Sequence, residues 1–110
     1  MISLEDFTKV EMHSGEIIKA EINEKARKPA YKLVVDFGER IGQKQSSAQL
    51  CDNYTPEELI GKQIMAVTNF PPMRIAGFKS EVLVLAVVCE DHGTVLVSPD
   101  KPVSKGQGLA

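Results

Sequence analysis

The sequence predicts a mainly β fold: an antiparallel barrel of five to six short strands, with a short helix at the start and another between strands three and four. Three observations carry this. Apolar residues come in short runs or at period two around 18–22, 33–37, 64–67 and 82–88. Gly, Pro, Asn and Asp punctuate the gaps between them. A helix-start signature, Thr55-Pro56-Glu57-Glu58, stands before the fourth strand.

The elements follow in order. Ser3-Leu4-Glu5-Asp6 fits an N-cap with an acid three residues on, so a helix of about two turns opens the chain. It is too short to stand alone and must dock on something. In Met12–Ile22, the residues Ile18, Ala20 and Ile22 alternate with Lys19 and Glu21, as in a half-buried strand. Gly15 suggests a kink or bulge near its start. Leu33–Phe37 is a second strand, closed by Gly38. The polar, mildly alternating stretch 43–50 is a third. Gly61 stops the second helix. Thr94–Val97 is a last short strand, and 98–110 is a Pro/Gly-punctuated tail with Val103 and Leu109 as anchors.

Residues 63–89 organise the rest. Ile64–Val67 and Val82–Val88 read as buried core strands. Pro71-Pro72 forces a turn between them. The connector MRIAGFKS then carries two cations, no acid, and a Gly where the backbone bulges or comes close. Connectors held on a rigid sheet are where binding groups usually lie. A small barrel with its helix before the fourth strand is the OB-fold pattern, whose sheet face and loops bind oligonucleotides in many proteins. Fold alone does not establish that use.

A length of 110 residues suits one domain over 1–110 with one modest core. No run approaches the roughly 20 apolar residues that span a bilayer, so no membrane insertion is expected. The acidic start lacks the marks of a secretory signal. Cys51 and Cys89 have no metal-ligand spacing and read as reduced thiols of a cytoplasmic protein, Cys89 as packing at a strand end. Net charge is −2, yet positive charge concentrates in residues 25–44 and 62–80. If the fold brings these blocks together, an acidic protein gains a basic face.

Catalytic chemistry is missing. His13 and His92 are solitary and read as surface or turn residues. Cys51 has no His to activate it, and Ser46-Ser47 has no neighbouring base. No phosphate-binding Gly motif is present. The chain is therefore expected to be no enzyme, with no metal and no cofactor.

Several stretches resemble the tRNA-binding domain family. They are Ala30-Tyr31-Lys32-Leu33, Asp36-Phe37-Gly38, the helix end Glu58–Lys62, and Asn69-Phe70 with Pro72, Arg74, Gly77, Ser80 and Leu85. That domain occurs in dimeric stand-alone proteins and is appended to some aminoacyl-tRNA synthetases. Within the family the chain is most similar to a bacterial export-related, chaperone-like branch. The resemblance implies an OB-fold homodimer that binds tRNA by its shape. It points to Asn69, Arg74, Gly77 and Ser80, with Lys32 and Lys44 nearby. The family's Gly-Met after the Ser is Val82-Leu83 here, and its Ser-Gly near the end of strand three falls at Ala48-Gln49.

Physical chemistry gives these residues roles. Arg74, Lys79 and Lys44 suit phosphates, and Asn69, Gln45 and Ser80 suit sugars or base edges. Tyr31, Phe70 and Phe78 are the aromatic stacking candidates. The branch also implies a second ligand, unfolded preprotein polypeptide, for which Phe70, Met73, Ile75 and Phe78 offer an adaptable apolar surface. Phe70 is nevertheless expected to pack in the core. A third reading is a module that docks on another protein of translation. The helical start and anchored tail are spare elements that can pair across a two-fold axis, so removing 1–10 or 103–110 is expected to weaken a dimer.

Overall fold

A computed structural model describes residues 1–110. Its elements are α1 (Leu4–Thr8), β1 (Met12–Ile22), β2 (Tyr31–Asp36), β3 (Gln43–Ala48), α2 (Pro56–Leu59), β4 (Gln63–Val67), β5 (Met73–Ile75), β6 (Phe78–Ser80), β7 (Leu83–Val84), β8 (Ala86–Cys89) and β9 (Gly93–Leu96). Five strands form an antiparallel sheet in the order β3-β2-β1-β4-β7. The sheet curls until β3 meets the segment before β7. There the Gln45 carbonyl accepts the Glu81 N–H at 2.8 Å. Ser46 Oγ donates to the Val82 carbonyl at 2.9 Å, so the fully buried polar residue of β3 is satisfied. The result is the OB-type barrel the sequence predicts, with two small hairpins outside it.

Alternation in β2 does what the pattern demands. Tyr31, Leu33, Val35 and Phe37 are buried, and the residues between them are half-buried. With Ile17, Leu50, Leu59 and Ile64 they fill the core. Each such side chain contributes about 1.5–3 kcal/mol by leaving water. Both helices have the expected capping boxes, Ser3 with Asp6 and Thr55 with Glu58. α2 is one turn long and inserts its buried Leu59 into the core.

β1 differs from its expected reading in two ways. The register against β2 slips between Ile17 and Lys19, so the bulge lies at Ile18 and not near Gly15. Ile17 then enters the core, while Ile22 is exposed. Gly15 serves packing. A Cβ there would stand 2.6 Å from Val35 Cγ1 and 2.8 Å from the Phe37 ring. Only a residue without a side chain lets β1 lie against the core at this point.

The run Val82–Val88 is not one buried strand. The barrel takes Leu83–Val84 and releases the chain at Leu85, whose N–H donates to the Met65 carbonyl at 2.9 Å. β8 then pairs with β9 alone, and Val87 and Val88 face outward, Val88 at 84% exposure. An unbroken apolar run cannot reveal where a barrel ends.

The tail folds onto its own chain. Gln107 N–H donates to Ser14 Oγ at 3.0 Å, and Ser14 Oγ donates to the Ser104 carbonyl at 2.8 Å. Backbone bonds add Ser14 N–H to the Gln107 carbonyl and Leu109 N–H to the Met12 carbonyl. The strap covers the part of β1 that β2 leaves unpaired. His13 lies under it. The histidine is buried, not on the surface, because it belongs to β1, and its Nδ1 is 2.8 Å from Thr68 Oγ1.

Candidate functional site

The connector MRIAGFKS is a β-hairpin. Its two-residue turn, Ala76-Gly77, has φ of 49° and 78°, the left-handed pair of a tight hairpin turn. Cross-strand partners are Met73 with Ser80, Arg74 with Lys79, and Ile75 with Phe78. Successive side chains alternate faces. One face of the hairpin is therefore cationic, and the other carries Met73, Ile75, Phe78 and Ser80. Ser80 Oγ accepts the Ser47 N–H at 3.0 Å and fastens β6 beside β3.

This brings together most of the residues predicted to meet RNA. Arg74, Lys79 and Lys44 are in no ion pair. Arg74 Nη1 donates to the Gly77 carbonyl at 3.2 Å, which steadies the guanidinium at the hairpin tip. Gln45 adjoins the hairpin on β3, and its N–H donates to Glu81 Oε1 at 3.0 Å. Lys32 is on β2, paired with Glu21 at 3.3 Å and 5.9 Å from the Phe78 ring centre. Asn69 is engaged elsewhere. Its Oδ1 accepts the Glu11 N–H and its Nδ2 donates to the Lys9 carbonyl, so the amide clamps the segment after α1. Of the aromatic candidates, Tyr31 is buried and its hydroxyl donates to the Tyr54 carbonyl at 2.6 Å. Burial pushes its phenol pKa up, with Cys51 adding to the shift. It offers no face for stacking.

The predicted apolar surface is also present in part. Phe70, Pro71, Met73, Ile75 and Leu83 line an open pocket of about 390 Å3, with Ser47, Ser80 and Glu81 among its polar residues. Phe70 is not in the core. It is 50% exposed, because Pro71-Pro72 turns the chain out of the barrel directly after β4. Phe78 does not line this pocket. It lines a second groove of about 340 Å3, with Lys32, Gly77 and the connection after β1. Sequence reasoning passed over Pro71, Leu83 and Ser47 in the first and Asn23 and Lys25 in the second. For Asn23 a signal existed, since an Asn right after a strand commonly starts a turn. Its Oδ1 accepts the Lys25 N–H at 3.1 Å.

A family model described as "Putative tRNA binding domain" matches residues 12–108. The chain belongs to the tRNA-binding domain family. Among curated relatives, the methionine–tRNA ligase of Archaeoglobus fulgidus is 37% identical over 105 residues, 96% of this chain and 15% of the enzyme. That of Methanococcus aeolicus is 39% identical over 109 residues, 99% of this chain and 16% of the enzyme. The chain thus spans about a sixth of these ligases. Among solved structures, the CsaA chaperone of Bacillus anthracis matches with a TM-score of 0.94 and 48% identity, covering 100% of this chain and 99% of that one. The CsaA chaperone of Picrophilus torridus gives 0.94 and 47%, with 100% of both chains covered. A MetRS-related protein from Pyrococcus horikoshii gives 0.87 and 28%, covering 100% of this chain and 98% of that one.

Proposed function

We propose that this chain is a non-catalytic module that binds tRNA through the β5–β6 hairpin and the adjoining β3. The observation that carries the reading is the pair Arg74 and Lys79. They face each other across the hairpin and lack acidic partners, in a chain whose family is a tRNA-binding domain. Lys44, on β3, is a further cation outside any ion pair. Phosphate contacts of this kind position an RNA and make binding steep in salt. The shape of a folded RNA and its exposed bases then provide selectivity. The test is a fluorescence anisotropy titration of bulk tRNA at several salt concentrations. A saturable signal whose log affinity falls linearly with log salt supports the reading, and no binding at low salt overturns it.

A second reading rests on the pocket beside the hairpin. An unfolded preprotein polypeptide has apolar side chains to place against Phe70, Met73 and Ile75, and Met adapts to many shapes. Both CsaA proteins are chaperones, which favours polypeptide as a ligand class here too. The two ligands would compete, since the hairpin forms part of both surfaces.

Assembly as a homodimer belongs to the same proposal. Leu4, Phe7 and Val10 meet Met12 and Leu109 around a shallow depression where α1 adjoins the end of the strap. Leu4 is 77% exposed, and α1 buries none of its own residues. A second copy laid on this face would cover these apolar groups. Sedimentation equilibrium of Leu4→Asp tests it: a monomer is expected, and an unchanged dimer would place the interface elsewhere.

A further inference from the structure

The groove around Phe78 is formed by two segments far apart in sequence. One is the connection after β1, with Asn23, Glu24 and Lys25. The other is the hairpin tip, Ala76 to Phe78. We propose that this groove receives a single unpaired nucleobase of the bound RNA, stacked on Phe78, with Lys25 on the flanking phosphate. The inference rests on the tRNA reading and adds a ligand class for a pocket that reading does not use.

Four features support it. Of the three aromatic stacking candidates, Phe78 is the one that combines a half-exposed ring with polar neighbours, since Tyr31 is buried and Phe70 belongs to the apolar pocket. The Lys32 ammonium stands 5.9 Å from its ring centre. Second, the groove carries Glu21 and Glu24 against Lys25 and Lys32, so its charge cancels. Carboxylates at the wall repel a phosphate that enters, but they accept hydrogen bonds from exocyclic amines of a neutral base. The ammoniums donate to its carbonyl or ring nitrogens.

The third feature is Asn23. It is 5% exposed, and its Nδ2 is the one buried side-chain polar atom with no hydrogen-bond partner. A buried donor left unpaired is costly, and Asn23 is one of the residues lining this groove. Fourth, the Lys25 stem passes beside the hairpin tip: a Cβ built on Gly77 would lie 3.6 Å from Lys25 Cδ and 3.9 Å from its Nζ, an ordinary contact, so the ammonium stands at the rim. A volume of about 340 Å3 suits one base with its sugar, near the lower end of small-molecule sites at ~300 Å3. The carboxylate walls favour adenine, cytosine and guanine over uracil, which has no exocyclic amine.

Two measurements on the full chain test the proposal. Amide chemical shifts are followed by NMR while AMP, CMP, GMP or UMP is added. In parallel, tRNA affinity is measured for Phe78→Leu, which keeps an apolar side chain, and for Lys25→Ala, which lies outside the hairpin. Saturable shifts at residues 21–25 and 76–78 are expected, severalfold weaker for UMP. Phe78→Leu is expected to lower tRNA affinity roughly tenfold, within the range of base–aromatic stacking. Lys25→Ala is expected to lower it severalfold. If tRNA binds normally to both variants and no nucleotide shifts these amides, the pocket is wrong and the tRNA reading stands. If tRNA fails to bind the unaltered protein at low salt, both fall.

Discussion

The side-chain oxygen of Asn69 accepts the N–H of Glu11 at 3.0 Å, across 58 residues of sequence. The same amide donates to the Lys9 carbonyl at 2.7 Å. One side chain at the end of β4 thus fixes the path of the chain between α1 and β1. Asn69→Ala should lower unfolding stability by about 1–2 kcal/mol, the size of two modest hydrogen bonds. Urea unfolding measures it. Hydrogen exchange at Glu11 should quicken, while tRNA affinity at fixed protein concentration changes little. A large loss of RNA binding with normal stability would return Asn69 to the interface.

Arg74 and Lys79 make a different prediction. Each should remove one phosphate contact, so the slope of log affinity against log salt should flatten by about 0.7–0.9 per substitution to Ala. Stability should hardly move, because both side chains are exposed and outside ion pairs. Salt titrations of each variant check this.

Met73 separates the two ligands. Met73→Ala removes an exposed wall of the apolar pocket but no charge. Binding of an unfolded, reduced and alkylated model polypeptide should weaken several-fold, with the salt slope for tRNA unchanged. Equal losses for both ligands would mean that the hairpin itself had been disturbed.

Gly15→Ala should be damaging. Its methyl would press on Val35 and Phe37, both fully buried. Overpacking of this kind costs about 1–3 kcal/mol. Thermal unfolding should report a clear fall in Tm.

Asp36 gives a pH dependence. Its Oδ1 accepts the Gly38 N–H at 2.9 Å and its Oδ2 accepts from Lys105 Nζ at 3.1 Å. The Gly38 bond first, and then Lys105, hold its pKa below the ordinary aspartate value. A carboxyl held low in the folded state stabilises fully above its unfolded pKa. That contribution should fade as pH falls below about 4, where the unfolded chain takes up the proton first. Asp36→Asn should flatten this part of the stability–pH curve.

Much of the barrel was readable in the sequence because local chemistry and tertiary need agree there. The β2 alternation, both capping boxes and the Gly61 stop each follow from nearest neighbours. The β5–β6 hairpin was not readable, because three-residue strands are too short for a period and Ala-Gly stands where Asn-Gly would announce the turn. The strap escaped because it is polar and joins β1 through backbone bonds, which leave no side-chain pattern. At the site, the cations and apolar residues of one connector were visible as a cluster. The clamp that Asn69 makes on Glu11 and Lys9 was not legible, because an amide after a strand looks the same whether it faces a ligand or a distant backbone. Asn23 and Lys25 were hidden because only the topology brings them to Gly77.

The strap also sets an order of events. Ser14 is bonded to Gln107, 93 residues away. During synthesis at about 5–20 residues per second, β1 is made seconds before its last partner exists. Through that interval its edge is open to any extended chain nearby. Release of the finished barrel is therefore a late, long-range step, and crowding or slow translation should be felt there first.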